Sequence, residues 1–281
     1  AAWSFGGVVQ DRSSSEETVF IEPLFAVEMN NRLLLASKTE DAEERRVRGE
    51  LTDLVRAHAP ALAALEEALA HVDACGALAA FAAANRATRP TLGTSDVVLQ
   101  RVRHPLLELT HRDVVPVDIL LRDTQRGLAI TGPNAGGKTV ALKTLGLTAL
   151  LAQSGFFVHA APGARIPCFA SVLADIGDAQ SIERDLSTFT AHATNLAAIA
   201  QDAGPGGLVL LDEPGAGTDP VEGAALATGV LTDLVARGPR VVFTTHFASV
   251  KTFALAESTL EVAACDVDPA TGGARYELVY H

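Results

Sequence analysis

Apolar positions change their spacing three times along the chain. Over the first 36 residues, short apolar runs from Phe5 to Val9 and from Thr18 to Ile21 flank a polar loop, Arg12 to Glu17, and stop at Pro23. That pattern predicts a small hairpin leading into a helix. From Lys38 to Arg86, Val47, Leu51, Leu54, His58, Leu62, Leu65, Leu69 and Val72 recur at steps of three and four, the helical periodicity of a coiled-coil seam. Pro60 stands inside the run, so a kink or a fresh helix start is expected there. Two arrangements stay open for this region: a projecting lever of antiparallel helices, or a helical hairpin packed on its neighbour.

After Pro90 strands and helices alternate. Val97 to Val102, Val117 to Leu121, Leu128 to Thr131, Ser171 to Ile176, Leu208 to Leu211 and Val241 to Thr244 read as strands. Lys138 to Gln153, Phe189 to Gln201 and Val221 to Val235 read as helices. The unbroken apolar runs Leu208 to Leu211 and Val241 to Phe243 indicate burial on both faces, as in a parallel sheet covered by helices. Turns are expected at 204–207 and at Gly238-Pro239, and a closing antiparallel hairpin from Leu260 to Tyr280 through Thr271-Gly272-Gly273. The pattern predicts an α/β domain over residues 91–281, preceded by a smaller segment, 1–90, that is mainly helical.

Composition narrows the class. With 281 residues, 48% of them hydrophobic and 20% charged, the chain has ample material for a core, and disorder is excluded. The net charge of −12 argues against bulk attraction to nucleic acid, so a grip on a polyanion would need a local basic patch or parts outside this chain. No apolar run reaches the ~18 residues of a membrane span, and no signal peptide is evident, so no membrane association and a cytoplasmic location are expected. Met29 is the single methionine and the chain opens Ala1-Ala2-Trp3, which reads as an excised fragment. Cys75, Cys168 and Cys265 are odd in number and far apart, so reduced, mostly buried thiols are expected. The mixed charges from Lys38 to Glu50 read as a solvated helix face.

Candidate chemistry lies in the α/β part. Gly132-Pro133-Asn134-Ala135-Gly136-Gly137-Lys138-Thr139 fits GxxxxGK[ST] and falls between a predicted strand and a predicted helix, the context a phosphate-binding loop requires. Glycines let backbone N–H groups converge on an anion, and the helix N-terminus adds partial positive charge. Lys138 is expected to reach the β- and γ-phosphates and the Thr139 hydroxyl to bind Mg²⁺. A carboxylate at the end of a buried strand completes such a site, and Asp212-Glu213 follows Leu208 to Leu211. Asp212 would hold the metal, and Glu213 would accept the proton of the attacking water.

Beyond Glu213 come Pro214-Gly215-Ala216-Gly217-Thr218-Asp219-Pro220 and, after the next helix and strand, Thr244-Thr245-His246-Phe247. This order resembles ABC-type phosphate-loop ATPases, in which a turn after the glutamate contacts the other subunit and the histidine senses the γ-phosphate, here His246. Transporter members carry LSGGQ before the acidic pair; this chain has Asp185-Leu186-Ser187-Thr188-Phe189. That segment, with GPNAGGKT and Arg103-His104-Pro105, resembles the MutS family. Thr139 to Leu147, the stretch Ile176 to Glu183, His192, and Ser13-Ser14-Ser15 leading to Phe20-Ile21-Glu22-Pro23 resemble its type-two branch.

The resemblance implies an ABC-type ATPase fold over nearly all of the chain, preceded by a small lever or core subdomain. It implies ATP and Mg²⁺ as ligands, with nucleotide contacts from Gly132 to Val140, His104 near the adenine, and Gln180 near the position of a metal- and water-linked glutamine. Two copies would sandwich two nucleotides, Ser187 of each reaching the other's γ-phosphate. Type-two MutS proteins are associated with suppression of homologous recombination, through DNA, and with rescue of collided ribosomes, and a C-terminal Smr nuclease domain is expected to follow this chain. Two readings of the output stay open: a hydrolysing motor, or an ATP-gated clamp with negligible turnover of its own. An ABC transporter subunit is disfavoured by the absence of LSGGQ.

Overall fold

The structure, a computed structural model, describes residues 6–14, 18–110, 114–133, 136–177, 185–267 and 274–280. The chain divides into two compact units, Ala1–Ala74 and Cys75–His281. That division falls inside a helix.

In the first unit, β1 (Gly7–Arg12) and β2 (Val19–Pro23) pair antiparallel, Gly7 opposite Pro23 and Arg12 opposite Val19. This is the expected hairpin, and it leads directly into α1 (Leu24–Ala84). The Glu22 carboxylate joins the two elements, accepting from Gln10 of β1 at 2.5 Å and from Asn30 of α1.

The expected helical hairpin is not formed, because α1 is one continuous helix of 61 residues with Pro60 inside it. A proline in a helix interior costs about 3 kcal/mol, whereas alanine gains up to ~0.7 kcal/mol per position over ordinary residues. Ala57, Ala59, Ala61, Ala63 and Ala64 surround Pro60, so the flanks favour helix strongly enough to run through it. Arginines of the charged stretch pair one turn away, Arg48 with Glu44 at 2.9 Å and Arg46 with Glu50 at 2.5 Å, on exposed side chains. Its alanine-rich C-terminal part gives α1 a window long and apolar enough, by length and composition alone, to cross a membrane, where no apolar run of that length was expected.

The second unit holds the end of α1 and two sheets. Its elements are β3 (Thr91–Leu92), β4 (Val97–Val102), α2 (Pro105–Thr110), β5 (Val117–Leu121), β6 (Gly127–Thr131), α3 (Lys138–Gln153), β7 (Arg165–Ile166), β8 (Val172–Asp175), α4 (Asp185–Asp202), β9 (Leu208–Leu211), α5 (Pro220–Arg237), β10 (Arg240–Thr245), α6 (Ala248–Ala256), β11 (Leu260–Val267) and β12 (Ala274–Tyr280). The larger sheet runs β12-β11-β6-β10-β9-β8, and the smaller β3-β7-β4-β5. Five strands of the larger sheet are mutually parallel, with β12 antiparallel at the edge.

Successive residues of the central strands feed two different cores, as the period-two pleat requires. Leu208 and Leu210 pack with Leu142 and Leu145 of α3 and with Leu99 and Ile119 of the smaller sheet. Val209 and Leu211 pack with Leu196, Leu231 and Val250 of α4, α5 and α6. Each such fully buried side chain contributes about 1.5–3 kcal/mol of transfer free energy, so both faces hold the sheet rigid at the edge where the site lies. The short elements α2, β3, β7 and α6 leave too little periodicity to be read from sequence. Burial of the thiols was overstated: Cys265 is buried, but Cys75 and Cys168 are exposed, one on a helix and one in a loop.

Candidate active site

Parallel strands deliver their C-terminal ends to one edge of a sheet, and that edge is where ligands bind in open α/β folds. Here β6, β8, β9 and β10 end side by side, Asp175 level with Leu211 and Thr245 with Thr131. The polar residues of interest follow these ends.

From β6 the chain turns through Gly132 and Pro133 into α3. Gly137, at φ 87°, caps the helix in the left-handed region, which favours glycine. Lys138 opens α3 and is 2% exposed. Its ammonium donates to Gly132 O at 2.8 Å and lies 3.3 Å from Glu213 Oε1. A buried cation needs such compensation. Asn134 and Ala135 lie outside the described residues.

Thr139, one residue on, donates from Oγ1 to Asp212 Oδ2 at 2.8 Å. Across the sheet Thr244 Oγ1 donates to Asp212 Oδ1 at 2.5 Å and accepts the Glu213 N–H at 2.9 Å. Thr244 is wholly buried, so its hydroxyl has a fixed orientation. Glu213 has φ +50°, a conformation that costs a non-glycine residue about 1–3 kcal/mol and is held only where neighbours over-determine it. In that conformation its carboxylate bridges Lys138 through Oε1 and His246 Nδ1 through Oε2 at 3.1 Å. His246 is half-exposed, its ring 4.4 Å from that of Phe247.

Beside the loop opens a cavity of about 330 Å³ lined by Val102, His104, Leu107, Val117, Val140 and Cys265, together with Gly136 and Gly137 of the loop. Its walls are apolar and its size suits a heterocycle. His104 is buried, and burial together with the Lys143 charge depresses its pKa. The imidazole is therefore neutral at pH 7, with Nδ1 accepting the Leu107 N–H at 3.3 Å. Burial likewise pushes the Cys265 thiol up.

The residues fit Mg²⁺ accompanied by a nucleotide. Thr139 and Asp212 present hard oxygen donors in contact with each other. Among the described residues no group of three or more His, Cys, Asp or Glu gathers around a point. Mg²⁺ bound to phosphates needs only one or two carboxylates.

The structure thus brings Lys138, Thr139, Asp212, Glu213 and His246 together, with His104, Gly136, Gly137 and Val140 in the adjoining cavity. Ser187 belongs to the first turn of α4, and Gln180 lies outside the described residues. Asp219 caps α5, accepting the N–H groups of Val221 and Glu222. Sequence reasoning missed Thr244, whose signal was a hydroxyl directly after the apolar run Val241 to Phe243. It also missed a network in which Glu108 accepts from Arg103 at 2.8 Å and contacts His159 Nδ1 at 2.6 Å. Arg103 carries that network to the carbonyls of Asn85 and Arg86. Burial raises the Glu108 pKa, but the hydrogen bonds of His159 and Arg103 more than offset it, leaving the carboxyl below its ordinary value.

Residues 128–280 match the family described as MutS domain V. The chain belongs to the MutS family. It is 46% identical to the endonuclease MutS2 of Pelotomaculum thermopropionicum over 97% of this chain and 34% of that protein. It is 44% and 43% identical to the endonucleases MutS2 of Halalkalibacterium halodurans and Lachnospira eligens, over 98% of this chain and 35% of each. These relatives place it in the type-two branch of the MutS family, and the chain spans about a third of the length of the relatives it matches. The MutS-family module described here is an ABC-type ATPase domain.

Proposed function

We propose that this MutS-family module is a Mg²⁺-dependent ATPase that works in pairs, each copy holding one ATP at its own strand edge. The observation that carries the reading is the convergence of Lys138, Thr139, Asp212, Glu213 and His246 at the ends of β6, β9 and β10. Mg²⁺, when bound, would neutralise charge on the β- and γ-phosphates, with Thr139 and Asp212 holding it. The helix N-terminus of α3 and the Lys138 ammonium bind phosphate, and the neutral His104 and Val140 accommodate the base.

Glu213 is the general base. Its carboxylate is now shared between Lys138 and His246, and a γ-phosphate drawn to Lys138 replaces one of those contacts. The freed Oε1 then accepts a proton from water, while His246 keeps Oε2 in place. Ser187 of the facing copy completes the γ-phosphate contacts, so that binding closes the pair and hydrolysis opens it. DNA, and ribosomal RNA as a second candidate, would be gripped by parts of the longer protein. Recombination suppression, ribosome rescue and the nuclease step belong to that whole protein in this reading, which acts in the cytoplasm with no membrane.

Light scattering on the Glu213→Gln chain, with and without Mg²⁺-ATP, tests the pairing. Doubling of mass with ATP supports it, and a monomer at saturating ATP contradicts it. Single-turnover hydrolysis by the wild-type chain separates a motor from a gated clamp: a burst of phosphate on closure marks the motor, and its absence from closed pairs marks the clamp.

A further inference from the structure

His192 has no part in the arrangement above, yet it is tied to another element. On α4, its Nδ1 lies 3.0 Å from Asp175 Oδ2 and 3.2 Å from Oδ1. A carboxylate only accepts, so Nδ1–H is the donor. Three residues on, and so on the same helix face, Asn195 donates to Asp175 Oδ1 at 2.8 Å. Asp175 is the buried last residue of β8. The approach is close: a Cβ on Gly177 would stand 2.9 Å from His192 Cε1, so a larger residue there would push on the imidazole.

Asp175 also touches the nucleotide edge from its other side. Its carbonyl accepts the Asp212 N–H at 2.9 Å, and Asp212 holds Thr139 and Thr244. Asp175 therefore meets α4 through its side chain and the Asp212 strand end through its main chain, so the second contact survives loss of the first. Ser187 lies five residues before His192 on the same helix, roughly 7.5 Å along its axis.

We propose that Asp175, His192 and Asn195 form a latch that fixes α4 on the strand edge and thereby aims its first turn at the nucleotide of the facing subunit. The three are positioning residues, acting through α4 without touching the nucleotide. The proposal rests on the trans role given to Ser187 above.

The test uses pairs of the chain isolated through two different affinity tags in Mg²⁺-ATP, with Lys138→Ala in one subunit so that only the other site turns over. His192→Ala placed in the Lys138→Ala subunit faces the working site and lowers kcat about tenfold to a hundredfold, the factor expected for losing a hydrogen bond to a charged group, with KM for ATP little changed. Placed in the working subunit, the same substitution leaves kcat about unchanged. His192→Asn, which sets an amide N–H where Nδ1 stood, restores activity. A loss that follows the working subunit, or one equal in both placements, overturns the latch. Ser187→Ala in the same two placements separates the layers of the argument. If it has no effect from the Lys138→Ala subunit, or if no pairs can be isolated, the trans reading falls and the latch with it. If Ser187→Ala acts from that side and His192→Ala does not, the latch alone is wrong.

Discussion

Replacing Thr244 with valine keeps the β-branched shape of a wholly buried side chain and deletes only its hydroxyl. Two hydrogen bonds go with it: the one accepted from the Glu213 N–H at 2.9 Å and the one donated to Asp212 Oδ1 at 2.5 Å. The first is a neutral bond, worth about 0.5–1.5 kcal/mol, and the second reaches a charged group, worth about 1.5–3 kcal/mol. Their sum, about 2–4.5 kcal/mol, bounds the loss if nothing relaxes. Relaxation has an obvious route, because Glu213 sits at φ +50° and regains about 1–3 kcal/mol by leaving that region. Leaving it carries the carboxylate away from Lys138 and His246. Thr244→Val is therefore expected to lower kcat for ATP hydrolysis by about 10–10²-fold, short of the 10²–10⁴-fold of deleting a general base. The melting temperature falls by roughly 4–18 °C at 2–4 °C per kcal/mol for a unit of this size, while ATP affinity holds. Thr244→Ser keeps both bonds and is expected to keep most of the turnover. Wild-type kcat in Thr244→Val, or equal damage in the serine and valine variants, would refute the reasoning.

Three further outcomes follow from the geometry. The Glu108 carboxyl is held below its usual 4.5, so its contribution to stability is complete above that value and is lost as pH falls through the lower folded value; the melting-temperature gap between wild type and Glu108→Gln should close on acidification below pH ~4, and a constant gap contradicts it. Burial pushes Tyr280 up to about 12, with its hydroxyl donating to Asp118 O and accepting the Leu120 N–H. Stability from this raised acid is intact below pH ~10 and is lost between there and about 12, and the phenolate absorbance of the folded chain is expected to show a late step that Tyr280→Phe removes. In α1, Pro60→Ala restores one backbone donor and relieves up to about 3 kcal/mol; helicity by circular dichroism should hold or rise, and a fall would contradict a helix that is continuous through residue 60.

The large sheet was legible because both its faces are covered: Leu208 to Leu211 and Val241 to Phe243 are apolar without interruption, and helices of period 3.6 separate them. Asp212, Glu213 and His246 were legible as positions because they directly follow strand ends, and Lys138 because it opens the helix after the glycine loop, so that each one's place in the motif also fixes its place in space. Thr244, Asp175 with His192, and Glu108 with His159 were not, since each acts through a partner 17 to 51 residues away and nothing local marks the pairing. Pro60 misled for a physical reason: a local breaker was weighed without the alanines that outvote it. The apolar seam along α1 gave the helix correctly but not its number of pieces, because periodicity carries no information about reversal of direction.

The central claim is that the strand-end cluster hydrolyses Mg²⁺-ATP with Glu213 as base. Phosphate release by the wild-type chain and by Glu213→Gln, with nucleotide binding measured in parallel, tests it most directly. The account predicts turnover by the wild type, unchanged binding by the variant, and a rate reduced about 10²–10⁴-fold. Undiminished phosphate release by Glu213→Gln would contradict it.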